Sequence, residues 1–372
     1  MKRLLISLIF IVLLNMGCSA GRKASLPPGN GPPAPALSTL SLVTATPAPV
    51  GQLPASNAAC GDNICDGPEN AQSCPQDCTA AVTSPEEPPP TVEVGSPITY
   101  EPGDEPDTYW VTNPTSGARL FVRVLHPSDW AGEPRPALIL VPGGNGFSAD
   151  FLRPPRNAAT RIADVGFTVV IFDPDGRGHS EGGEDQNGFI QQDGLAAVIQ
   201  FAATLPEIDA AQIGVISFSF GITMASGALV RYPGLPVQFL IDWEGPANRN
   251  DTGGCDAAHT GHLAGEVACD DEAFWAEREA STFALTLQVP YLRLQSEKDH
   301  VQPDYEHTLL MITNATASAY GGSGIAPWTR LNDLPPNTVY TVDTLPAMMP
   351  EDQDQQLDTL VAQYAQELLE FP

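Results

Sequence analysis

The sequence has few basic residues. It contains 17 Lys and Arg residues against 45 Asp and Glu residues, which gives a formal net charge of −28. So acidic a chain would repel a phosphate backbone, and we therefore expect no nucleic-acid partner. The composition also excludes a collagen, a coiled coil and a polytopic membrane protein.

Proline and glycine are distributed unevenly along the chain. The 37 Pro and 33 Gly residues are too many for one compact domain, and most of the excess precedes residue 137. Hydrophobic residues make up 42%, which is enough for one large core. We predict a signal peptide over 1–17, a disordered Pro-rich linker over 18–58, a Cys-rich module over 59–79, a second linker over 80–107 and one large domain over 108–372.

The N-terminus predicts export. Met1, Lys2 and Arg3 precede an apolar stretch over 4–14, and this pattern is typical of a secretion signal. The following Gly17-Cys18 resembles a bacterial lipobox, although Asn15 stands where such motifs usually carry Leu. We predict a lipid anchor at Cys18 that holds the protein on a bacterial membrane, facing outside the cytoplasm. The alternative is an ordinary cleaved signal with an incidental cysteine.

Six further cysteines suggest disulfide bonds, as expected of an exported chain. Their grouping predicts two bonds within 60–78, with the connectivity open, and one bond across the later pair: Cys60, Cys65, Cys74, Cys78, Cys255 and Cys269. No pair in the first group has the spacing of a zinc ribbon. Oxygen ligands in the same module could gather around calcium, but we predict a module held by disulfides alone.

From about residue 108 the pattern alternates between strand and helix. Apolar runs predict strands at Leu120–Leu125, Ala137–Val141, Phe167–Phe172, Ile213–Phe218, Val237–Ile241, Val289–Leu294 and Thr338–Val342. Helices are predicted at Asn157–Asp164, Gly188–Thr204, Gly221–Tyr232, Pro303–Thr313 and Asp352–Glu370. Apolar strands that alternate with helices predict an α/β domain with a mainly parallel sheet, covered by helices on both faces.

One strand leads directly into a candidate nucleophile. The run Ile213–Phe218 is followed by Ser219-Phe-Gly221 and then by a helix, which is the context of a nucleophile elbow. Ser217 replaces the usual first glycine but is also small. The Phe220 N–H would face a developing oxyanion.

Three other segments end strands with residues suited to chemistry. Ala137–Val141 opens into a glycine-rich loop, where Gly144 or Asn145 can supply a second oxyanion N–H. Phe167–Phe172 is followed by Asp173 and by another glycine-rich loop. This loop lacks the lysine of a P-loop, so nucleotide binding is not expected. Asp299 places a carboxylate just beyond the strand Val289–Leu294.

These blocks, in this order, resemble the α/β-hydrolase superfamily, especially its dienelactone-hydrolase and prolyl-oligopeptidase-like branches. The resemblance covers residues 108–372. It implies a small-molecule or peptide substrate with an ester, thioester or peptide-type bond, and no cofactor. It also implies that Ser219 is the nucleophile and Asp299 the acid of a Ser-His-Asp triad, with Gly144 or Asn145 and Phe220 as the oxyanion hole.

The sequence departs from the family at the histidine. The family's base lies near 343–350, but no His follows His307. His300 directly follows Asp299 and is predicted to point away from a bridging position. A cap insert over about 245–285 contains His259 and His262, and we name His262 as the candidate base. The alternatives are His259 as the base, a structural or specificity-determining cap, and a Cys/His zinc site. Asp242 and Glu244, which end the strand before the cap, could supply the acid in place of Asp299, but we expect them to be structural.

Two functions therefore stand side by side. The first is a serine hydrolase of the carboxylesterase type with an unusual base, favoured because the nucleophile and the acid are both present. The second is a catalytically inactive hydrolase-like domain, displayed for binding on a lipoprotein stalk and favoured by the missing histidine.

Overall fold

The computed structural model describes residues 94, 97–256, 258–259, 261–316, 329–332, 334, 338, 340–341 and 354–370. All of them belong to one compact unit, which begins at Pro85. The predicted signal peptide, Cys18, the first linker, the Cys-rich module and the segment 343–350 lie outside the described residues. No helix in the described ranges has the length and apolar character needed to cross a bilayer.

The described strands form one sheet. They are β1 (Tyr100–Pro102), β2 (Thr108–Thr112), β3 (Arg119–Leu125), β4 (Arg135–Val141), β5 (Thr168–Phe172), β6 (Ile208–Phe218), β7 (Phe239–Trp243), β8 (Tyr291–Leu294) and β9 (Thr329–Leu331). Their order across the sheet is β1-β2-β3-β5-β4-β6-β7-β8-β9. The pairs β1–β2, β2–β3 and β3–β5 are antiparallel, and the pairs from β5–β4 to β8–β9 are parallel. The prediction of a mainly parallel sheet is confirmed.

Helices follow or connect these strands. They are α1 (Ala158–Ala163), α2 (Phe189–Ala202), α3 (Gly221–Arg231), α4 (Arg249–Gly253), α5 (Glu272–Ala276), α6 (Ala280–Ala284), α7 (Glu306–Thr316) and α8 (Asp354–Leu369), and a 3-10 helix spans Ser148–Leu152. Neighbouring parallel strands need such crossover connections, because the chain must return to the end of the sheet where the previous strand began before it starts the next one.

Both faces of the sheet are covered, as predicted. Because side chains alternate along a strand, Ile139 of β4 packs into one apolar cluster and Leu140 into the other. The first cluster also contains Met224 of α3, and the second contains Val361 of α8. Each such fully buried side chain contributes about 1.5–3 kcal/mol to folding. The two clusters fix the ends of β4, β6, β7 and β8 relative to one another.

The structure departs from the sequence predictions at both ends of the sheet. The strand β1 lies within the segment 80–107 that was predicted to be linker, where Tyr100 packs 4.7 Å from the ring of Phe201. Among the described residues of the last predicted strand, 338, 340 and 341, none is in a strand. Tyr340 contacts β9 through its side chain instead, since its hydroxyl accepts the N–H of Leu331.

The insert between β7 and β8 contains α4, α5 and α6 and corresponds to the predicted cap. The predicted disulfide between Cys255 and Cys269 is present, with the two Cα atoms 5.5 Å apart. The cap also has an apolar cluster of its own, in which Leu263 and Trp275 pack with Phe220 of the main domain. The cap is therefore joined to the elbow by packing as well as by the chain.

Candidate active site

Ser219 lies in a sharp turn between β6 and α3. Its φ is +51°, a left-handed conformation that is uncommon for a residue with a side chain. Its backbone N–H donates to the carbonyl of Trp243 at 2.8 Å, which ties the turn to the end of β7. The elbow predicted from sequence is therefore present as a strained turn held by a neighbouring strand.

Two glycines allow the backbone to approach itself at this turn. A Cβ on Gly221 would lie 2.6 Å from the carbonyl oxygen of Pro142, and a Cβ on Gly143 would lie 2.6 Å from that of Phe218. Both contacts are to backbone atoms that cannot rotate away. The glycine-rich loop after β4 thus packs directly against the elbow.

His300 contacts Ser219. Its Nε2 lies 2.8 Å from Ser219 Oγ, and its Nδ1 lies 2.8 Å from Glu244 Oε2. Since an ionised carboxylate only accepts hydrogen bonds, Nδ1 carries the proton and Nε2 is left as an acceptor for the hydroxyl. The three side chains form one continuous chain of hydrogen bonds.

Glu244 directly follows β7 and is held rigidly. It has a φ of +48°, and its side chain is 1% exposed. Its N–H donates to the carbonyl of Leu294, and its Oε1 accepts the N–H of Ser296 at 2.7 Å. Both contacts come from the end of β8 and the loop after it, so the carboxylate is fixed against the segment that leads to His300.

The prediction that His300 points away from Ser219 is wrong. It assumed that Asp299 would occupy the acid position, but the loop after β8 turns back and brings the next residue over the ends of β6 and β7. There the His300 ring stacks on Trp243, with centroids 4.9 Å apart and planes 18° apart. The sequence had no local signal for this reversal.

Asp299 faces a different set of partners from the one predicted. Its Oδ2 lies 2.8 Å from Gln295 Nε2 and 3.2 Å from His307 Nε2, while its Oδ1 accepts the N–H groups of Val301 and Gln302. Burial opposes ionisation, but the hydrogen bond and charge of His307, with the N–H of Gln302 and the Gln295 amide, hold the pKa of Asp299 well below its usual value. Its Oδ1 is 3.6 Å from His300 Nδ1, farther than the Glu244 oxygen. Asp299 therefore shapes the loop that carries His300.

The structure places His262 over the glycine-rich loop instead of against Ser219. Its Nε2 lies 3.1 Å from Asn145 Oδ1, and its ring is 3.5 Å from where a Cβ on Gly144 would be. It also lies beside Phe220, with ring centroids 5.7 Å apart. His262 thus closes one side of the site. The position beside Ser219 that the sequence predicts for His262 is occupied by His300.

The predicted oxyanion groups belong to the residue after Ser219 and to the glycine-rich loop that packs against the elbow. Within the described part of the chain, the N–H groups of Gly144, Asn145 and Phe220 have no hydrogen-bond acceptor. The loop itself is braced: Gly146 N–H donates to the Gly143 carbonyl at 2.8 Å. Backbone donors left unpaired beside a candidate nucleophile are suited to bind an oxyanion.

Asp173, at the start of the glycine-rich loop after β5, has a structural role. Its carboxylate accepts the N–H of Ser148 at 2.8 Å and that of His179 at 2.7 Å. A Cβ on Gly178 would overlap that carboxylate. Asp173 thereby joins the exit of β5 to the 3-10 helix that follows the oxyanion loop.

Two cavities open beside Ser219. The larger, of about 280 Å³, is lined by Phe151, Phe218 and Trp243, with Arg156 at its wall. The charge of Arg156 is balanced by buried Asp358, whose Oδ1 is 2.8 Å away. The smaller cavity, of about 30 Å³, lies on the cap side beside His262. The larger one has the volume for a substrate group.

Glu244, Asp299 and His300 could also be read as metal ligands, because their donor atoms lie within 4.8 Å of one another. Both ring nitrogens of His300 are, however, engaged by Ser219 and Glu244. Asp299 accepts four hydrogen bonds. A metal would have to break this network, so the arrangement fits proton transfer better than coordination.

No family model matches the chain, and no curated protein does either. Solved structures do resemble it. A protein described as dipeptidyl aminopeptidase IV from Bacteroides ovatus superposes with a TM-score of 0.52 at 16% sequence identity, over 73% of this chain. The chain has the α/β-hydrolase fold. It spans only 36% of the length of that peptidase.

Two further solved structures are also similar in fold. Est1E from Butyrivibrio proteoclasticus, solved with ferulic acid, has a TM-score of 0.49 at 14% identity, covering 68% of this chain and 97% of its own. Acetyl xylan esterase 1 from Thermoanaerobacterium sp. JW/SL YS485 has a TM-score of 0.48 at 16% identity, covering 73% of this chain and 87% of its own. At such identities the likeness concerns the fold alone.

Proposed function

We propose that the protein is a serine hydrolase in which Ser219 is the nucleophile, His300 the general base and Glu244 the acid that orients it. The observation that carries the proposal is the continuous hydrogen-bonded chain from Ser219 Oγ through His300 to Glu244, with both distances at 2.8 Å. A serine hydroxyl is a weak nucleophile until a base within hydrogen-bond reach removes its proton.

The reaction follows from this geometry. His300 Nε2 takes the hydroxyl proton as Ser219 Oγ bonds to the substrate carbonyl carbon. The resulting imidazolium is stabilised by buried Glu244 and then gives its proton to the leaving group as the acyl–oxygen, acyl–sulfur or acyl–nitrogen bond breaks. Water, activated by the same His300, releases the acyl group from Ser219 and restores the hydroxyl.

The negative oxygen of the tetrahedral intermediate needs donors that are already in place. The unpaired N–H groups of Phe220 and of Gly144 or Asn145 support an oxyanion hole at this point. Donors of this kind typically contribute about 2.7–4 kcal/mol each to the rate-determining step.

The larger cavity supports a compact substrate group. A volume of about 280 Å³ with walls of Phe151, Phe218 and Trp243 suits one ring or a short acyl chain. We propose a carboxylic ester that carries such a group as the substrate, with thioesters and peptide-type bonds as the other candidates. The aromatic walls match an apolar group better than a charged one.

The alternative function, a catalytically inactive binding domain, is favoured in the sequence by the missing triad histidine. The position of His300 beside Ser219 weakens that support, so catalysis is the better proposal. An intact nucleophile, a base and a buried carboxylate have no obvious use in a domain that only binds.

The test is labelling of the full-length protein with a fluorophosphonate probe, which reacts only with activated serines. We expect labelling of the wild type, none of Ser219→Ala and very little of His300→Ala, while His262→Ala still labels. Hydrolysis of p-nitrophenyl acetate and butyrate, compared with an alanine p-nitroanilide, then separates ester from amide cleavage. Folded wild-type protein that neither labels nor hydrolyses any of these would favour the binding domain.

We propose, as a separate matter, that the protein is lipid-anchored through Cys18 and acts outside the cytoplasm. The disulfide between Cys255 and Cys269 supports an oxidising compartment. Metabolic labelling with a fatty-acid analogue should mark the wild type and leave Cys18→Ala unmarked. Equal labelling of both would overturn the anchor.

A further inference from the structure

A second group of metal-ligating side chains lies outside the catalytic site. His259 belongs to the cap, whereas Asp304 and Glu306 belong to the segment that follows His300 and begins α7. One donor atom from each of the three lies within 4.8 Å of the others. Carboxylates on a surface often cluster without a ligand, so the imidazole is the informative member.

His259 is oriented as a metal ligand. Its side chain is 8% exposed, and its Nδ1 lies 2.6 Å from Asp256 Oδ1. The same oxygen accepts the N–H groups of Ala258 and His259, which holds the carboxylate in place. Since the carboxylate accepts, Nδ1 carries a proton, and in the neutral ring Nε2 then presents its lone pair. A carboxylate that fixes the tautomer of a ligating histidine is a common arrangement in metal sites.

The Nε2 atom is buried and has no hydrogen-bond partner among the residues that the structure describes. It faces Asp304 Oδ2 at 3.6 Å and Asp251 Oδ1 at 3.9 Å. The first distance is too long for a hydrogen bond. Two ligands that bind one zinc ion, a nitrogen at about 2.0–2.1 Å and an oxygen at about 2.0–2.2 Å with tetrahedral angles, stand roughly 3.3–3.5 Å apart. The observed separation is slightly wider than this, so a small closure of the two side chains would place both on one ion.

The remaining contacts leave these oxygens available. The Oδ1 of Asp304 accepts the N–H of Glu306, so that its Oδ2 is the oxygen directed to His259. The Oδ2 of Asp251 accepts the N–H groups of Ala247 and Asn248, which leaves its Oδ1 toward the imidazole. The neighbouring carboxylates make the position strongly favourable for a cation.

We propose that His259, Asp304 and Glu306 form a binding site for a divalent transition-metal ion of the zinc type, with Asp251 at its edge and Asp256 orienting the imidazole. One imidazole nitrogen with carboxylate oxygens is a donor set that zinc accepts, whereas Ca²⁺ and Mg²⁺ prefer oxygen alone. The ion would fasten the cap to the segment that begins four residues after His300. This site does not depend on the proposed hydrolase activity.

The experiment is a zinc titration of full-length protein, first stripped with a chelator and then followed by calorimetry. We expect wild-type protein to bind one more Zn²⁺ per chain than His259→Ala or Asp304→Asn, with a higher midpoint of thermal unfolding when Zn²⁺ is present. The variant Asp256→Asn keeps every ligand but loses the orienting carboxylate, and its affinity should fall about 10–100-fold.

Two controls separate this site from others. His126→Ala removes a histidine that stacks on Trp130, away from the cluster, and should bind zinc like the wild type. His300→Ala tests the cluster of Glu244, Asp299 and His300, and this variant should still bind the one Zn²⁺ per chain that we assign to the site at His259. Metal-free variants should match metal-free wild type in circular dichroism.

A measurement on the wild type does not depend on how the variants fold. Anomalous scattering at the zinc absorption edge, from crystals grown with ZnCl2, should place a peak beside His259 Nε2. A map without such a peak, or equal zinc binding by wild type, His259→Ala and Asp304→Asn, would overturn the site and leave a protonated His259 among carboxylates as the explanation.

Discussion

A single carboxylate oxygen of Glu244 holds His300 at two points. It accepts the backbone N–H of His300 at 3.3 Å and the ring Nδ1–H at 2.8 Å. The first contact fixes the loop, and the second fixes the ring and its tautomer. Nε2 is thereby aimed at Ser219 Oγ, so the residue that orients the base also positions the chain that carries it.

Removal of the base separates the two candidate histidines. His300→Ala should lower kcat by about 10⁴–10⁶-fold, because no other described side chain hydrogen-bonds to Ser219 Oγ. His262→Ala, which removes only a contact to Asn145, should lower kcat less than about tenfold. Steady-state kinetics on an ester identified by screening, with circular dichroism of both variants, measures this. Equal losses in the two variants would return His262 to consideration as the base.

The two carboxylates beside His300 should differ in the same assay. Glu244→Gln keeps the shape but cannot stabilise the imidazolium, and we expect kcat to fall about 10³–10⁴-fold with KM nearly unchanged. Asp299→Asn alters a carboxylate that contacts Gln295 and His307, so kcat should fall less than about tenfold. The assignment of Glu244 fails if Asp299→Asn is the more damaging of the two.

Asp299 should make the stability of the protein depend on pH. Its pKa is lowered in the folded state, so the carboxylate stabilises folding above its unfolded pKa of about 3.9 and loses that contribution as the pH falls through the folded value. Asp299→Asn should therefore lower the free energy of unfolding by about 1.5–3 kcal/mol at pH 7 and by less at pH 3. Urea unfolding at several pH values measures the difference.

The control for that titration is Asp129→Asn, which changes an exposed carboxylate and should shift the free energy of unfolding by less than about 0.5 kcal/mol throughout. A destabilisation by Asp299→Asn that stays the same from pH 7 to pH 3 would show that ionisation of Asp299 is not its source.

Gly221 should tolerate no side chain. A Cβ there would meet the carbonyl oxygens of Pro142 and Val141 at 2.6 and 2.9 Å, and the strand and elbow would have to separate. We expect Gly221→Ala to lower the free energy of unfolding by about 1–3 kcal/mol. The matched control is Gly183→Ala, whose Cβ would meet nothing within 4 Å. Thermal unfolding of both variants tests this, and equal midpoints would contradict the close approach.

The sequence itself determined the frame of the molecule. The apolar runs of β4, β5 and β6 are long enough and apolar enough to mark buried strands, so the mainly parallel sheet could be predicted. The elbow at Ser219 has local marks as well, since a strand, small neighbours and a helix all fall within one short segment. The pair Cys255 and Cys269 could be joined because no other cysteine lies near them in sequence.

Tertiary structure alone decided the partners of Ser219. His300 is 81 residues from Ser219 and 56 from Glu244, and the three meet only because β6, β7 and β8 end at one edge of the sheet. The residues next to Asp299 and His300 in the sequence do not indicate which of the two turns toward Ser219. That direction is set by the reversal of the loop after β8. Tertiary structure also decided the strand β1, which the sequence does not predict. A short edge strand is stabilised by its pairing with β2 and not by its own composition.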